Sequence, residues 1–357
     1  MSVIREDMKR TVDKGVLNPE LLRGKKFLLL GSTGMILSYM ARFLTEMNDE
    51  YQLDMRILLQ GRSAARLRAR HGYLEDRDGV SFEAFDISAG IPENISVDYI
   101  IHGASPANGT FFIKRPVDTI MPNVLGTRSV LEYAKEKKAR VLYMSSTAIY
   151  GDVSGIAKQY ISENDYGIVD PLDERASYYE SKRLGEQMCS AYSRQYGVSA
   201  SVARIPYTYG PSYDLEADLR IFPRCIKKIL AGEEVELFHE DTLLQYTYAA
   251  DVASALLIGL QNGESGQAYN VCRLDGMSME DMVKNIAEAN PHGSKAEIII
   301  KGNDADYYFK DKKTVNLQWM SNEKLVSIGW KSCFDFPLGL AQTIRGIKEF
   351  NSIGADK

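Results

Sequence analysis

K-F-L-L-L-G-S-T-G-M-I-L, running from Lys26 to Leu37, is the stretch whose reading decides the fold of this chain. Lys26–Gly31 is a short, continuously apolar run ending in glycine, and a helical pattern follows from Met35 to Met47. A strand buried on both faces and feeding a helix reads this way. Gly31 permits the tight reversal, and Gly34 lets backbone N–H groups at the helix N-terminus approach a pyrophosphate. Thr33, Met35 and Ile36 belong to the same turn and join the two glycines as candidate dinucleotide contacts. The third fingerprint position, usually Gly or Ala, is Leu37, which predicts a slightly wider gap between helix and sheet.

Working outward, further buried strands are expected at Met55–Gln60, Val80–Phe85, Tyr99–Gly103 and Arg140–Ser146, with a long helix over Pro116–Lys138. This alternation specifies an α/β fold, a Rossmann-type doubly wound parallel sheet with ligands at the carboxyl ends of its strands. An NAD site ends its second strand in Asp or Glu, whereas this one ends Gln60-Gly61-Arg62-Ser63. Arg62 would pair with a 2′-phosphate that a carboxylate would repel, so NADP is favoured over NAD. Asp86 follows the third strand, where it can accept from the adenine amine, with Ile87 beside it. His102-Gly103-Ala104-Ser105 ends the fourth strand; the small residues let a cofactor pass, and His102 reads as structural.

Composition narrows the classes. The chain has 357 residues, 45% of them hydrophobic, enough to bury one large core or two joined ones. A net charge of -5 with interspersed signs argues against a nucleic-acid partner. Cys189, Cys225, Cys272 and Cys333 are far apart and form no C-x-x-C pair, so they read as reduced, buried thiols of a cytoplasmic protein. Four scattered histidines offer no metal-ligand spacing. No apolar run approaches membrane-spanning length, and Met1–Arg23 carries a loose amphipathic helix pattern without an apolar signal core. A packing or dimer-edge role is expected for this extension.

Chemistry concentrates in A-S-Y-Y-E-S-K-R-L-G-E-Q, Ala176 to Gln187. Tyr178 and Lys182 are four apart and share one helix face. An ammonium beside a phenol favours the phenolate, which would bring the tyrosine towards neutrality as an acid/base group for a carbinol or ketone. Ser146 and Thr147 end the fifth strand, where a substrate oxygen would meet them.

With these elements the chain resembles the extended short-chain dehydrogenase/reductase family, in its nucleotide-sugar epimerase/dehydratase branch. The resemblance runs from Lys26 to about Phe350. It rests on G-S-T-G at Gly31, H-G-A-S at His102, N-V-L-G-T at Asn123, S-S-T-A-I-Y-G at Ser145, Y-Y-E-S-K at Tyr178, R-I-P-Y-T-Y-G-P at Arg204, Y-A-A-D-V-A at Tyr248 and I-G-W-K at Ile328. It implies a nicotinamide cofactor, with Tyr178 as acid/base, Lys182 on the nicotinamide ribose, and Ser146 steadying the substrate oxygen. Thr147 and Ser105 would face the sugar, and Asn123, Gly103, Ala104 and Ile205 the cofactor. It implies residues 1–24 as an extension, 25–205 plus 240–272 as the dinucleotide domain, and 206–239 plus 273–357 as a smaller mixed C-terminal substrate domain.

Departures narrow the reaction. Thr147-Ala148 stands where the family's dehydratases carry Asp-Glu. The pattern is nearest to UDP-glucuronate decarboxylases, yet their active-site glutamate falls at Ala148 and an arginine at Leu244. Tyr207 replaces an asparagine near the diphosphate, leaving Arg220 and Arg224 to rebuild that contact. The expectation is hydride transfer at one carbinol or keto carbon, C4, of a nucleotide-activated sugar. Nucleotide-sugar decarboxylation and keto-sugar reduction are the alternatives within the class, and a non-catalytic NAD(P)-binding regulator the alternative outside it. The helices around Asn123–Lys138 and Tyr178–Tyr196 resemble those that pair into the family's homodimer.

Overall fold

The computed structural model describes residues 1–107, 109–218, 220–237, 243–290, 298–300 and 319–352. Parts of the expected smaller domain, 238–239, 291–297, 301–318 and 353–357, lie outside the described residues, as do Asn108, Leu219 and 240–242.

Seven parallel strands form the central sheet: β1 (Lys26–Leu30), β2 (Arg56–Gly61), β3 (Val80–Ala84), β4 (Tyr99–His102), β5 (Arg140–Ser146), β6 (Ala200–Ile205) and β7 (Ala268–Asn270). Their order is 7-6-5-4-1-2-3. The direction of winding reverses between β1 and β4, which opens the crevice where such sheets hold ligands. The inner strands read as unbroken apolar runs because helices cover both faces.

The helices are α1 (Val3–Asp13), α2 (Met35–Tyr51), α3 (Ala64–His71), α4 (Gly109–Lys114), α5 (Pro116–Met121), α6 (Thr127–Lys137), α7 (Ala176–Tyr196), α8 (Ile221–Ala231), α9 (Ala249–Asn262), α10 (Met279–Glu288), α11 (Glu323–Ser327) and α12 (Phe336–Ser352). An apolar cluster covers each face of the sheet. One face of the sheet packs on α2 and α9 through Leu29, Phe43, Leu44 and Leu256. The other packs on α6 and α7 through Leu28, Ile100, Val130 and Cys189.

The first cluster does not stop at the sheet. It takes in Ile4 and Met8 of α1, Ile226 of α8, Met282 of α10 and Ile344 of α12. The N-terminal segment therefore packs as part of the core, with α1 lying on α2, α9 and α12. Among the described residues, four two-stranded sheets lie outside the central one: Tyr207–Tyr209 with Tyr246–Tyr248, Leu243–Leu244 with Met277–Ser278, Val235–Leu237 with Ile298–Ile300, and Tyr160–Ile161 with Trp319–Met320. No helix among the described residues is long and apolar enough to cross a membrane.

Two sequence expectations need correction. The helix expected over Pro116–Lys138 is interrupted by a π-helical turn at Pro122–Gly126. Pro122 has no N–H to donate, so the ladder widens there instead of continuing. The wider gap expected at Leu37 is also absent. Leu37 is buried, and a Cβ on Gly103 would lie 2.8 Å from its Cδ1 and 2.7 Å from Met144 Sδ. Volume added at the third fingerprint position is taken back at Gly103.

This exchange is testable. Gly103→Ala is expected to cost about 1–3 kcal/mol through overpacking, and adding Leu37→Ala should recover much of it. Urea unfolding of the two single variants and the double variant measures the coupling. Additivity within ~0.5 kcal/mol would mean the two positions do not share space.

Candidate active site

The glycine turn stands at the crevice. Gly31 adopts φ +85, and a Cβ there would sit 2.7 Å from Ala104 Cα, so both the backbone angle and the close approach of H-G-A-S demand glycine. Gly34 is the N-cap of α2 and no side chain caps that end. The first-turn N–H groups, beside exposed Thr33, are therefore left for an anionic ligand. This fits a dinucleotide pyrophosphate. Gln60, a candidate cofactor contact, also holds the turn itself. It is buried; its Oε1 accepts from Gly31 N–H at 3.0 Å and its Nε2 donates to the Phe85 carbonyl at 2.5 Å. Its amide clamps the turn to the end of β3. Arg62 is exposed and makes no ion pair among the described residues. Asp86 is exposed too, its Oδ1 accepting from Ser88 N–H at 2.9 Å, and Ile87 packs where a Cβ on Gly126 would intrude.

Across the crevice, α7 carries Tyr178 and Lys182 to the end of β5. Tyr178 is buried, and the Ser146 hydroxyl acts on its phenol in favour of the ionised form. Ser146 Oγ also accepts from Ala148 N–H at 3.1 Å, so its own proton is available to the phenol oxygen. Ile205 lies beside Ser146 in the β5–β6 register. Lys182 is buried, donates to the Met144 carbonyl at 2.7 Å and lies 5.9 Å from the Tyr178 ring centroid. Asn123 sits in the π-helical turn, its Nδ2 donating to Ser181 Oγ at 2.8 Å while Oδ1 is buried with no partner among the described residues.

The electrostatics differ from expectation in one respect. Burial holds the Tyr178 phenol above its ordinary range, only partly offset by Ser146. Lys182 is pushed down to about 7 by burial, with Glu186 opposing. The lysine faces the Met144 carbonyl here, so its influence does not bring the phenol towards neutrality. The cation that acts on the phenol is Arg220, which is held by Asp218 and lies over the Tyr213 ring at 5.5 Å. Arg224, one turn further along α8, is exposed.

A sequence model of the NAD dependent epimerase/dehydratase family matches residues 27–272. The chain belongs to that family. The family match begins after α1 and spans all seven strands of the sheet. Among curated relatives, UDP-glucuronic acid decarboxylase 1 of Xenopus tropicalis is 30% identical over 265 residues, which cover 74% of this chain but only 60% of that protein. UDP-glucuronic acid decarboxylase 5 of Arabidopsis thaliana is 30% identical over 288 residues, covering 78% of this chain and 81% of the relative. A UDP-N-acetylglucosamine 4-epimerase from Methanobrevibacter ruminantium, solved with UDP-N-acetylmuramic acid, superimposes with a TM-score of 0.78 at 17% identity, over 92% of this chain and 99% of that one. At that identity the likeness speaks for the fold alone.

Thr147 opens the short helical turn Thr147–Tyr150, and Ser105 is half-buried beside Pro106. Tyr207 is 47% exposed and its ring lies 6.1 Å from that of Tyr246. Leu244 is buried in the short strand paired with Met277.

Two neighbours of the pair were not anticipated. The Phe112 ring stacks on Tyr178, centroids 5.0 Å apart and planes at 10°. No local pattern could reveal a partner 66 positions away. Glu186, by contrast, continues the spacing Tyr178, Lys182, Glu186 along one helix face, a signal that was in plain view.

Proposed function

We propose that this protein is an NAD(P)-dependent sugar-nucleotide oxidoreductase or epimerase that moves a hydride at one carbinol or keto carbon, C4 of the sugar. The observation that carries the reading is the convergence of the buried Tyr178 phenol and the Ser146 hydroxyl that acts on it at the end of β5, with Lys182 buried one turn along α7. In the oxidative direction the carbinol proton passes to the Tyr178 oxygen while Ser146 donates to the substrate oxygen. The nicotinamide, when bound, takes up the hydride and returns it. Lys182, which donates to the Met144 carbonyl, would turn to the cofactor ribose. The segments 206–239 and 273–357 would supply the sugar side of the cleft, with Arg220, Arg224, Tyr207, Thr147 and Ser105 towards the substrate. Exposed Arg62 favours NADP over NAD.

Decarboxylation of a UDP-uronate is the second reading, favoured by the names of the 30% identical relatives. It ranks lower because Ala148 has no carboxyl and Leu244 has no charge and is buried. An apolar groove of ≈ 460 Å³ between α5, the π-helical turn and α7, lined by Ile120, Val124, Leu172 and Leu184, supports a homodimer across these helices.

One experiment addresses all three points. Native mass spectrometry of the purified protein against UDP-, GDP-, CDP- and dTDP-sugars should show twice the chain mass, a retained dinucleotide and one preferred sugar nucleotide. Retention of NAD with no affinity for NADP removes the reading of Arg62. A protein that takes up neither cofactor nor any sugar nucleotide removes the proposal itself.

A further inference from the structure

The Glu186 carboxylate joins three elements behind the crevice. Its Oε1 accepts from Ser145 Oγ at 2.5 Å and from Arg204 Nε at 3.1 Å, and its Oε2 accepts from Arg204 Nη2 at 2.8 Å. Ser145 and Arg204 are register partners on β5 and β6, one residue before Ser146 and Ile205. The ion pair is buried, with side chains 6% and 13% exposed. Arg204 Nη1 then donates to the Tyr150 oxygen at 2.8 Å, and Tyr150 donates to Asn270 Oδ1 at 2.8 Å. One carboxylate thus anchors the helix of Tyr178 and Lys182, the strand end of Ser146, and the turn that begins at Thr147.

Among the described residues, Glu186 is the carboxyl group that acts on Lys182, opposing the effect of burial. The ionisable groups facing the ammonium are Tyr178, Glu186 and Cys189 on α7, Tyr143 on β5, and His102 on β4. Burial holds the Tyr143 and Tyr178 phenols and the Cys189 thiol in their neutral forms, and holds His102 neutral down to about 3. Glu186, one helical turn from Lys182, remains.

We propose that Glu186 is a positioning residue of this centre: it locks α7 onto the ends of β5 and β6 and supplies the counter-charge of the Lys182 ammonium. Its place in catalysis rests on the hydride-transfer reading above, because Lys182 must stay charged to orient a cofactor ribose. A merely structural ion pair would hold the helix but leave the lysine's charge alone.

The test reads Lys182 directly and needs no cofactor. In protein carrying ¹³C at every lysine Cε, one resonance should titrate near neutrality, far from the others, and vanish in Lys182→Met. In Glu186→Gln its midpoint should fall by about one pH unit or more, roughly a tenfold change in the protonation equilibrium. Glu186→Asp, which keeps the charge, should restore most of that shift. Glu186→Gln strands a buried guanidinium, so Glu186→Gln/Arg204→Gln, which removes both charges, serves if the single variant does not fold. A midpoint unmoved in folded Glu186→Gln, or no lower in the double variant than in Arg204→Gln, which isolates the carboxylate from the guanidinium it pairs with, overturns the proposal. Loss of cofactor binding by the unaltered protein would instead count against the hydride-transfer reading, and the lysine titration remains readable either way.

Discussion

Tyr178→Phe is expected to reduce turnover by about 10²–10⁴-fold, the usual contribution of a positioned acid/base group, while leaving cofactor binding intact. The change removes one oxygen and little else. The stack on Phe112 involves only the ring, Lys182 keeps its bond to the Met144 carbonyl, and Ser146 keeps the Ala148 N–H. The glycine turn and its Gln60 clamp are untouched, so NAD(P)H fluorescence titration should match the unaltered protein. Assayed with the sugar nucleotide that native mass spectrometry selects, a variant retaining more than a tenth of the activity would show that another group moves the proton. A cofactor-binding regulator would show no change in its biological output. The pH dependence has a definite sign. Burial raises the phenol, so the phenolate that accepts a carbinol proton becomes more populated as pH rises. Carbinol oxidation should therefore climb on the alkaline side, while ketone reduction, which needs the neutral phenol, persists there.

How much of this was legible in the sequence follows from the range of each interaction. β1 and β5 were readable because strands covered on both faces must be apolar throughout, and α7 because a four-residue spacing survives in any helix. Tyr178, Lys182 and Ser146 could be united because strand ends converge on one edge of a doubly wound sheet. What escaped depended on partners that only the tertiary fold brings together. Leu37 looked like a defect in the fingerprint until Gly103, 66 positions later, proved to make room for it. The Gln60 clamp on Gly31 N–H and the Phe85 carbonyl was hidden because strand order, not local pattern, brings those partners together. The pairing of Glu186 with Arg204 required the β5–β6 register. The direction of the Tyr178 shift turned on which way the Lys182 amine points, something spacing does not specify.

Asp7 lies outside the family match, and here an asparagine should make a more stable protein. Asp7 on α1 is fully buried; its Oδ2 accepts from Tyr39 and Tyr248, both at 2.6 Å, and its Oδ1 accepts from Gln342 Nε2 at 2.9 Å. It therefore ties the extension to α2, to the residue that caps α9, and to α12. Among these partners no cation balances the carboxylate, and burial outweighs the three hydrogen bonds to hold its pKa at about 6. An acid raised above its unfolded value of ~3.9 binds its proton more tightly in the folded state. Its contribution to stability thus grows as pH falls from about 6 towards 4 and is lost above 6. Asp251 behaves alike, while His71 and His102, held neutral by burial to about 4 and 3, lose stability over the same descent. The whole protein's pH profile mixes these opposing terms, so the informative quantity is the difference between variant and parent. Asp7→Asn keeps an oxygen for both tyrosines, and the Gln342 amide can turn to present its oxygen to the new NH₂ group. The variant should gain about 1–3 kcal/mol at pH 7.5 and almost nothing at pH 4.5. Urea denaturation at the two pH values measures both. Asp7→Leu, which leaves two buried phenols without an acceptor, should lose about 2–5 kcal/mol at either pH. A destabilised Asp7→Asn at pH 7.5 would mean that the ionised carboxylate earns its place in the core through those three donors.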